Sequence, residues 1–195
     1  AITAYEQVLS LYPEGPWVSM TQAYLADALH HQNRNADAAA LLTSLLNAPA
    51  IPKWLQDYQW KYAEILTEVP GREREGFALF ATIMDGIRYR ADRERCAQWL
   101  ARSPEVQHRL LAADAYLRLS EYPEARLLLM GLSIESASFD ADAAARYQLL
   151  FGRLQAVGAQ ADDGRAILRR VAEENRGQAV GAEAQGYLAR NLIHV

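Results

Sequence analysis

Cysteine is almost absent from this chain of 195 residues, since Cys96 is its only one. A single cysteine excludes an internal disulfide. Cys96 lies between Arg93 and Leu100 on what reads as the apolar side of a helix, where a free cysteine is usually a small core residue. The nearby arginines could instead activate the thiol, but no signature of a nucleophile surrounds it. We therefore expect Cys96 to be buried and unreactive.

Long apolar stretches are also missing. No run of about 18 or more apolar residues occurs, so we expect no direct insertion into a membrane, and no signal peptide is visible. The chain begins at Ala1 rather than at Met, and its first residues already read as the second helix of a pair. We therefore expect a fragment of a longer chain or a processed chain.

A basic excess is lacking as well, because the net charge is −4. Nucleic-acid binding needs a strongly basic face, so we expect no nucleic-acid partner. The basic residues are nearly all arginine, which indicates either bidentate recognition of anions or a bias of the genome. The segment 72–95 is rich in arginine, but its acidic residues nearly balance them, and surface ion pairs are the simpler interpretation.

Catalytic motifs are not found. The sequence has no Ser-His-Asp order, no phosphate-binding glycine loop and no paired cysteines with metal-ligand spacing. Asp27 with His30 or His31 could reach one metal ion from a helix face, but no second ligand pair is present, and a solvated polar face is the simpler interpretation. We expect no catalytic residue, no cofactor and no metal site.

Helical periodicity runs through the whole sequence, whereas alternating strand patterns are absent. Proline, glycine and capping residues divide the chain into short helical runs with short links. The predicted all-α structure has about eleven helices, at residues 2–11, 16–32, 36–46, 52–68, 72–84, 90–101, 104–119, 123–131, 140–157, 162–174 and 177–192.

Small residues recur near the start of alternate helices. They lie 37, 38, 49 and 39 residues apart, at Ala1, Ala38, Gly76, Ala125 and Gly164. A large residue follows each of them four positions later, at Tyr5, Leu42, Phe80, Leu129 and Leu168. This pattern predicts helical pairs that approach closely at the small residues and fill the space beside them with the large ones.

The most regular unit extends from Ala113 to Leu129. Ala113, Tyr116, Tyr122 and Ala125 match the tetratricopeptide repeat, a helix–turn–helix unit of about 34 residues. Ala26 with Ala38 gives a second good match, and Trp60 with Gly76 gives a third, although Glu64 stands where a small residue is preferred. The chain thus resembles tetratricopeptide-repeat proteins over most of its length.

The resemblance implies a single domain over residues 1–195, folded as a right-handed superhelical solenoid. The gap of 49 residues departs from the repeat and predicts an irregular extra helix at 90–101 without an obvious partner. A generic irregular helical bundle is the alternative interpretation.

The family binds its partners on a concave face that the first helix of each pair lines. By analogy, the partner-binding residues are Asp27, His30, His31, Tyr58, Lys61, Gln107, Asp114, Leu117, Arg118, Arg146 and Arg153. We therefore expect a scaffold that binds a peptide or a partner helix in this groove, without catalysis. Self-association stays open.

Two further functions remain as alternatives. The link from Tyr12 to Trp17 resembles those of repeat proteins associated with the bacterial periplasm and outer membrane, which favours a structural module of an envelope assembly. An accessory domain of a larger enzyme or regulator is the other alternative. The compartment is cytoplasmic or periplasmic, and this link favours the bacterial envelope.

Overall fold

The fold is all-α. The computed structural model describes residues 1–47, 54, 58–87, 89–135 and 138–192, and these residues contain eleven α-helices and no β-strand. The predicted fold class is confirmed at this level. The chain divides into two compact units, Ala1–Ile87 and Arg88–Val195. The prediction of one continuous repeat domain stays a prediction.

The first unit contains five α-helices in its described part. They are α1 (Ile2–Leu11), α2 (Val18–His30), α3 (Asn35–Leu46), α4 (Gln59–Thr67) and α5 (Glu73–Ile83), and a 3-10 turn follows at Met84–Gly86. α2 packs on α3 and α4 packs on α5, each as a helical hairpin. The predicted start of the third long helix falls on residues 52, 53 and 55–57, outside the described residues.

The turns of the first unit follow from their residues. Asn33 has φ 58°, in the left-handed region that asparagine tolerates, and it turns the chain between α2 and α3. Gly71 has φ 84° between α4 and α5, where a side chain would be strained. The two turns allow each pair of helices to fold back on itself and to bury Leu42, Ile65 and Phe80.

The second unit contains six α-helices in its described part. They are α6 (Arg90–Leu100), α7 (Val106–Leu119), α8 (Tyr122–Glu135), α9 (Ala141–Ala156), α10 (Ala161–Glu174) and α11 (Ala179–Leu192). Each of these helices packs on the one that follows it in the chain. In addition, α7 packs directly on α9. The Asp140 carboxylate caps α9 by accepting a hydrogen bond from the Ala143 amide at 2.8 Å, as its position predicts.

The extra helix, α6, has a partner. It packs on α7, and its apolar stripe is fully buried at Cys96, Ala97 and Leu100. The buried position of Cys96 is therefore confirmed. The sequence predicts no obvious partner for this helix. In the structure α6 and α7 form a hairpin, and its short link contains Ser103 and Pro104.

Two predicted helix ends differ from the structure. The sequence predicts that α8 ends at Gly131, but the helix continues to Glu135. A glycine inside a helix costs only about 1 kcal/mol, and the fully buried Leu132 holds the following turn against the core. α7 begins at Val106 rather than at Pro104, since the Ser103 hydroxyl accepts a hydrogen bond from the Glu105 amide ahead of the helix.

The small residues lie where helices approach closely. A Cβ on Gly76 would come within 2.7 Å of the Ala63 carbonyl oxygen and of the Thr67 amide nitrogen. A Cβ on Gly164 would overlap the backbone nitrogen of Ala156. The small residue that faces Gly76 is thus Ala63 rather than position 64, which corrects the alignment by one residue.

Candidate interaction surfaces

Asp114 is a buried carboxylate at the centre of an arginine cluster. It lies on α7 and its side chain is only 2% exposed. Its Oδ2 atom is 2.8 Å from Arg118 Nη2 and 3.2 Å from Arg146 Nη2, and its Oδ1 atom is 2.5 Å from Arg153 Nη1. A buried carboxylate is stable only when it is paired and hydrogen-bonded, and these three guanidinium groups provide that pairing.

A second carboxylate extends the cluster to α11. Glu183 accepts a hydrogen bond from Arg146 at 2.5 Å and a longer one from Arg153 at 3.5 Å. The Arg153 guanidinium also lies 5.5 Å from the centre of the Tyr187 ring, a cation–π distance. Charged and aromatic side chains thus connect α7, α9 and α11.

A cleft opens beside this cluster within the second unit. It has a volume of about 540 Å³, and its lining residues are Arg118, Arg153, Glu183, Tyr187 and Arg190. We call it the arginine cleft. Arg118 and Arg190 contribute exposed side chains, and three arginines stand against one glutamate. With Asp114 and Arg146 of the adjoining cluster included, four arginines meet two carboxylates, so the cleft is positively charged on a chain whose net charge is −4.

The first unit carries a smaller polar cluster. Lys61 Nζ on α4 lies 2.6 Å from Asp27 Oδ1 on α2, and each side chain is 20% exposed. Tyr58 shares a hydrogen bond with Asp27; burial raises the pKa of Tyr58, and the negative charge of Asp27 raises it further. The Trp54 ring meets the Tyr58 ring edge-on at 6.0 Å. This cluster connects the first hairpin of the unit to the second.

The two histidines of α2 differ in their surroundings. His30 Nδ1 lies 2.9 Å from Asn35 Oδ1 and 3.5 Å from Glu68 Oε2, and the Asn35 amide donates to the same Glu68 oxygen at 3.0 Å. His31 is exposed. Within the described ranges, no group of three histidine, cysteine or acidic side chains is placed to hold a metal ion. His30 thus helps to connect α2 with the end of α4.

The predicted groove residues fall into distinct environments. Asp27, Tyr58 and Lys61 come together in the first unit, and the second unit brings together Asp114, Arg118, Arg146 and Arg153. His31 and Gln107 are exposed without joining either group in the described contacts, whereas Leu117 is only 8% exposed and packs in the core. Leu117 is therefore a poor contact for a partner.

Three residues of the arginine cleft, all on α11, are not among the residues predicted from the sequence. Glu183, Tyr187 and Arg190 recur at intervals of four and three positions, which places them on one face of that helix. This spacing is the signal that the sequence offers. It does not by itself indicate a site, because α11 has no assigned place in the repeat pattern.

The arginine-rich segment is engaged in ion pairs. Arg72 lies 2.7 Å from Glu75 in the first unit, and Arg90 pairs with Glu121 in the second.

No helix in the described part of the chain is both long and apolar enough to cross a membrane.

The chain matches no protein-family model, and no similar curated protein or solved structure is found. Its function has to be argued from its own residues.

Proposed function

We propose that this chain is a protein-interaction module that binds a peptide segment or a partner helix and performs no catalysis. The single observation that carries the proposal is the arginine cleft. Three helices of the second unit contribute to one concave surface, which combines exposed charge with an aromatic wall. Peptide-binding surfaces on helical scaffolds have this character, since apolar contacts give affinity and a few placed polar groups give specificity.

We further propose that the helical pairs are tetratricopeptide-like repeats stacked as a right-handed superhelix. The hairpins, and the close approach of helices at Gly76 and Gly164, support this assignment. Small-angle X-ray scattering tests the solenoid, because an elongated superhelix and a compact bundle of the same length differ in radius of gyration. A radius of gyration typical of a compact bundle would contradict it.

An unbiased selection tests the binding function. Short peptides are selected from a random library against the whole chain, and heteronuclear NMR then maps where the selected peptides bind. We expect the amide signals of α7, α9 and α11 beside the cleft to shift. Substitution Arg190→Glu should change the affinity by about tenfold or more, because it reverses an exposed charge in the lining.

The matched control is Arg169→Glu, which makes the same charge change on an exposed position of α10 outside the cleft lining. It should leave the affinity almost unchanged. Selection of no binding peptide, or peptides that bind away from the cleft, would overturn the proposal.

A further inference from the structure

We infer that the arginine cleft recognises the carboxylate of an acidic side chain, so that the partner is a peptide segment rich in glutamate or aspartate. This inference rests on the proposed function and names the chemistry of the segment that is bound. It is carried by the charges of the lining residues, by the way Asp114 holds the arginines and by the aromatic wall at Tyr187.

The charge of the cleft is opposite to that of the chain. Arg118, Arg153 and Arg190 line it, and Glu183 is the only acidic residue among the lining residues. The chain as a whole carries a net charge of −4. A guanidinium group presents its N–H donors in a planar fork that matches a carboxylate in two parallel hydrogen bonds. The cleft therefore attracts an anionic segment, although the net charge of the chain is negative.

The buried carboxylate of Asp114 positions two of the lining arginines, Arg118 and Arg153, before a ligand arrives. Its two oxygens contact guanidinium groups from α7 and α9. Arg118 is held at 2.8 Å from Asp114 while its side chain stays 48% exposed. Long side chains that are already ordered lose less conformational entropy when they bind. Asp114 is thus a positioning residue, and Arg118 is a contact residue.

The cleft suits a glutamate side chain better than a phosphoserine because of its apolar surface. A phosphorylated side chain carries about −1.5 to −2 charges at neutral pH, against one for a carboxylate, so the arginines attract it more strongly and Glu183 in the lining also repels it more strongly. Charge alone therefore does not choose between the two, and the apolar contact does. The Tyr187 ring, over which Arg153 lies at 5.5 Å, gives the methylene groups of a glutamate an apolar surface on which to pack.

Fluorescence anisotropy with defined probes tests the inference. A short labelled oligoglutamate should bind the whole chain, whereas the matched oligoglutamine should not bind measurably. A phosphoserine peptide of the same length should bind more weakly than the oligoglutamate. Affinity for the oligoglutamate should fall as salt rises from about 0.05 M to about 0.5 M, since the charges face solvent.

Substitutions then locate the site. Arg190→Ala should weaken oligoglutamate binding by about tenfold, because one charge-assisted contact is lost. Arg169→Ala removes the same charge from α10, outside the cleft lining, and should change the affinity less than twofold by the same conversion. Both positions are exposed, so both variants should fold, and their circular dichroism spectra verify this.

Equal loss of affinity in both variants would overturn the inference, because it would indicate binding to charge in general. Tighter binding of the phosphoserine peptide would also overturn it. The library selection separates the two proposals. Peptides that bind in the cleft but lack acidic residues would contradict the inference and leave the proposed function intact. Failure to select any peptide would contradict the proposed function itself.

Discussion

Arg153 on α9 donates a hydrogen bond of 2.5 Å to the buried carboxylate of Asp114 on α7, from 39 positions along the chain. The bond joins helices that α8 separates in sequence but that pack directly on each other. It also lies beside the arginine cleft, because Arg153 lines the cleft while Asp114 lies beneath it. We therefore expect the stability of the second unit and its proposed binding function to depend on the same pair.

Replacement of Asp114 by asparagine should destabilise the chain by about 3 kcal/mol, because it leaves three guanidinium groups without the carboxylate that neutralises them. Urea unfolding followed by far-UV circular dichroism measures the change. The control is Asp162→Asn, whose side chain is 96% exposed and pairs with Arg165 on its own helix. That variant should lose less than about 1 kcal/mol. Equal effects of the two substitutions would show that the buried carboxylate stabilises the chain no more than a surface ion pair does.

Gly164→Ala should destabilise the second unit strongly. The added Cβ would overlap the Ala156 backbone nitrogen and lie 2.7 Å from the Gly152 carbonyl oxygen. Because backbone atoms cannot rotate away, α9 and α10 would have to separate, at a cost of about 3 kcal/mol. Urea unfolding measures the loss of free energy.

Gly186→Ala provides the opposite control within the same unit. Gly186 lies inside α11, and a Cβ added to it would have no heavy atom of a neighbouring residue within 4 Å. Alanine there should raise the free energy of unfolding by up to about 1 kcal/mol, since it restricts the unfolded chain and favours the helix. A loss at both positions would contradict the assignment of Gly164 as a specific point of close approach.

The local features of the fold could be predicted from the sequence, because each depends on neighbouring residues. Asn33 marks its turn and Asp140 its helix start, and the spacing of small residues locates Gly164. The partner of α6 could not be predicted from an alignment of repeats, since α6 lies outside the repeat pattern, although it packs on the next helix of the chain. Burial of Cys96 was predictable, but not the helix that buries it.

The candidate site could be predicted only in part, for the same reason. Asp114 and Arg118 are four positions apart on one helix, so their contact follows from local geometry. The analogy between repeats assigns Arg153 to the predicted concave face, together with Asp114 and Arg118. Glu183 was missed because its link to Arg153 crosses between α9 and α11, and such a link depends on how the helices stack.

Alkaline pH should weaken the fold through its buried tyrosines. Burial raises the pKa of Tyr116 above its ordinary value of 10.0, and the nearby charges of Glu124 and Glu94 raise it further. Since the folded pKa is the higher one, Tyr116 contributes stability that is complete below pH 10.0 and is lost as the pH rises through the folded pKa.

Urea unfolding between about pH 9 and about pH 11 measures this loss. Tyr116→Phe removes the titrating hydroxyl and keeps the ring, so the stability of the variant should fall less steeply above pH 10.0. Parallel curves for the variant and the unmodified chain would show that ionisation of Tyr116 does not contribute to alkaline unfolding.

The pair of Asp27 and Lys61 should stabilise the first unit more than a surface pair does. Their side chains lie on α2 and α4, are 20% exposed and approach within 2.6 Å, so the interaction is partly shielded from solvent and joins two hairpins. A double-mutant cycle with Asp27→Asn and Lys61→Met should give a coupling energy of about 1 kcal/mol.

The matched cycle uses Arg34 and Asp37, which lie 2.7 Å apart near the start of α3 and are 49% and 56% exposed. Its coupling energy should be about 0.3 kcal/mol and should vanish at high salt, whereas that of Asp27 and Lys61 should persist in part. If both pairs gave the same coupling energy and the same dependence on salt, the contact between α2 and α4 would be an ordinary surface ion pair. The two hairpins would then be joined by their apolar contacts and by the remaining polar contacts, such as the hydrogen bond from Asn35 to Glu68.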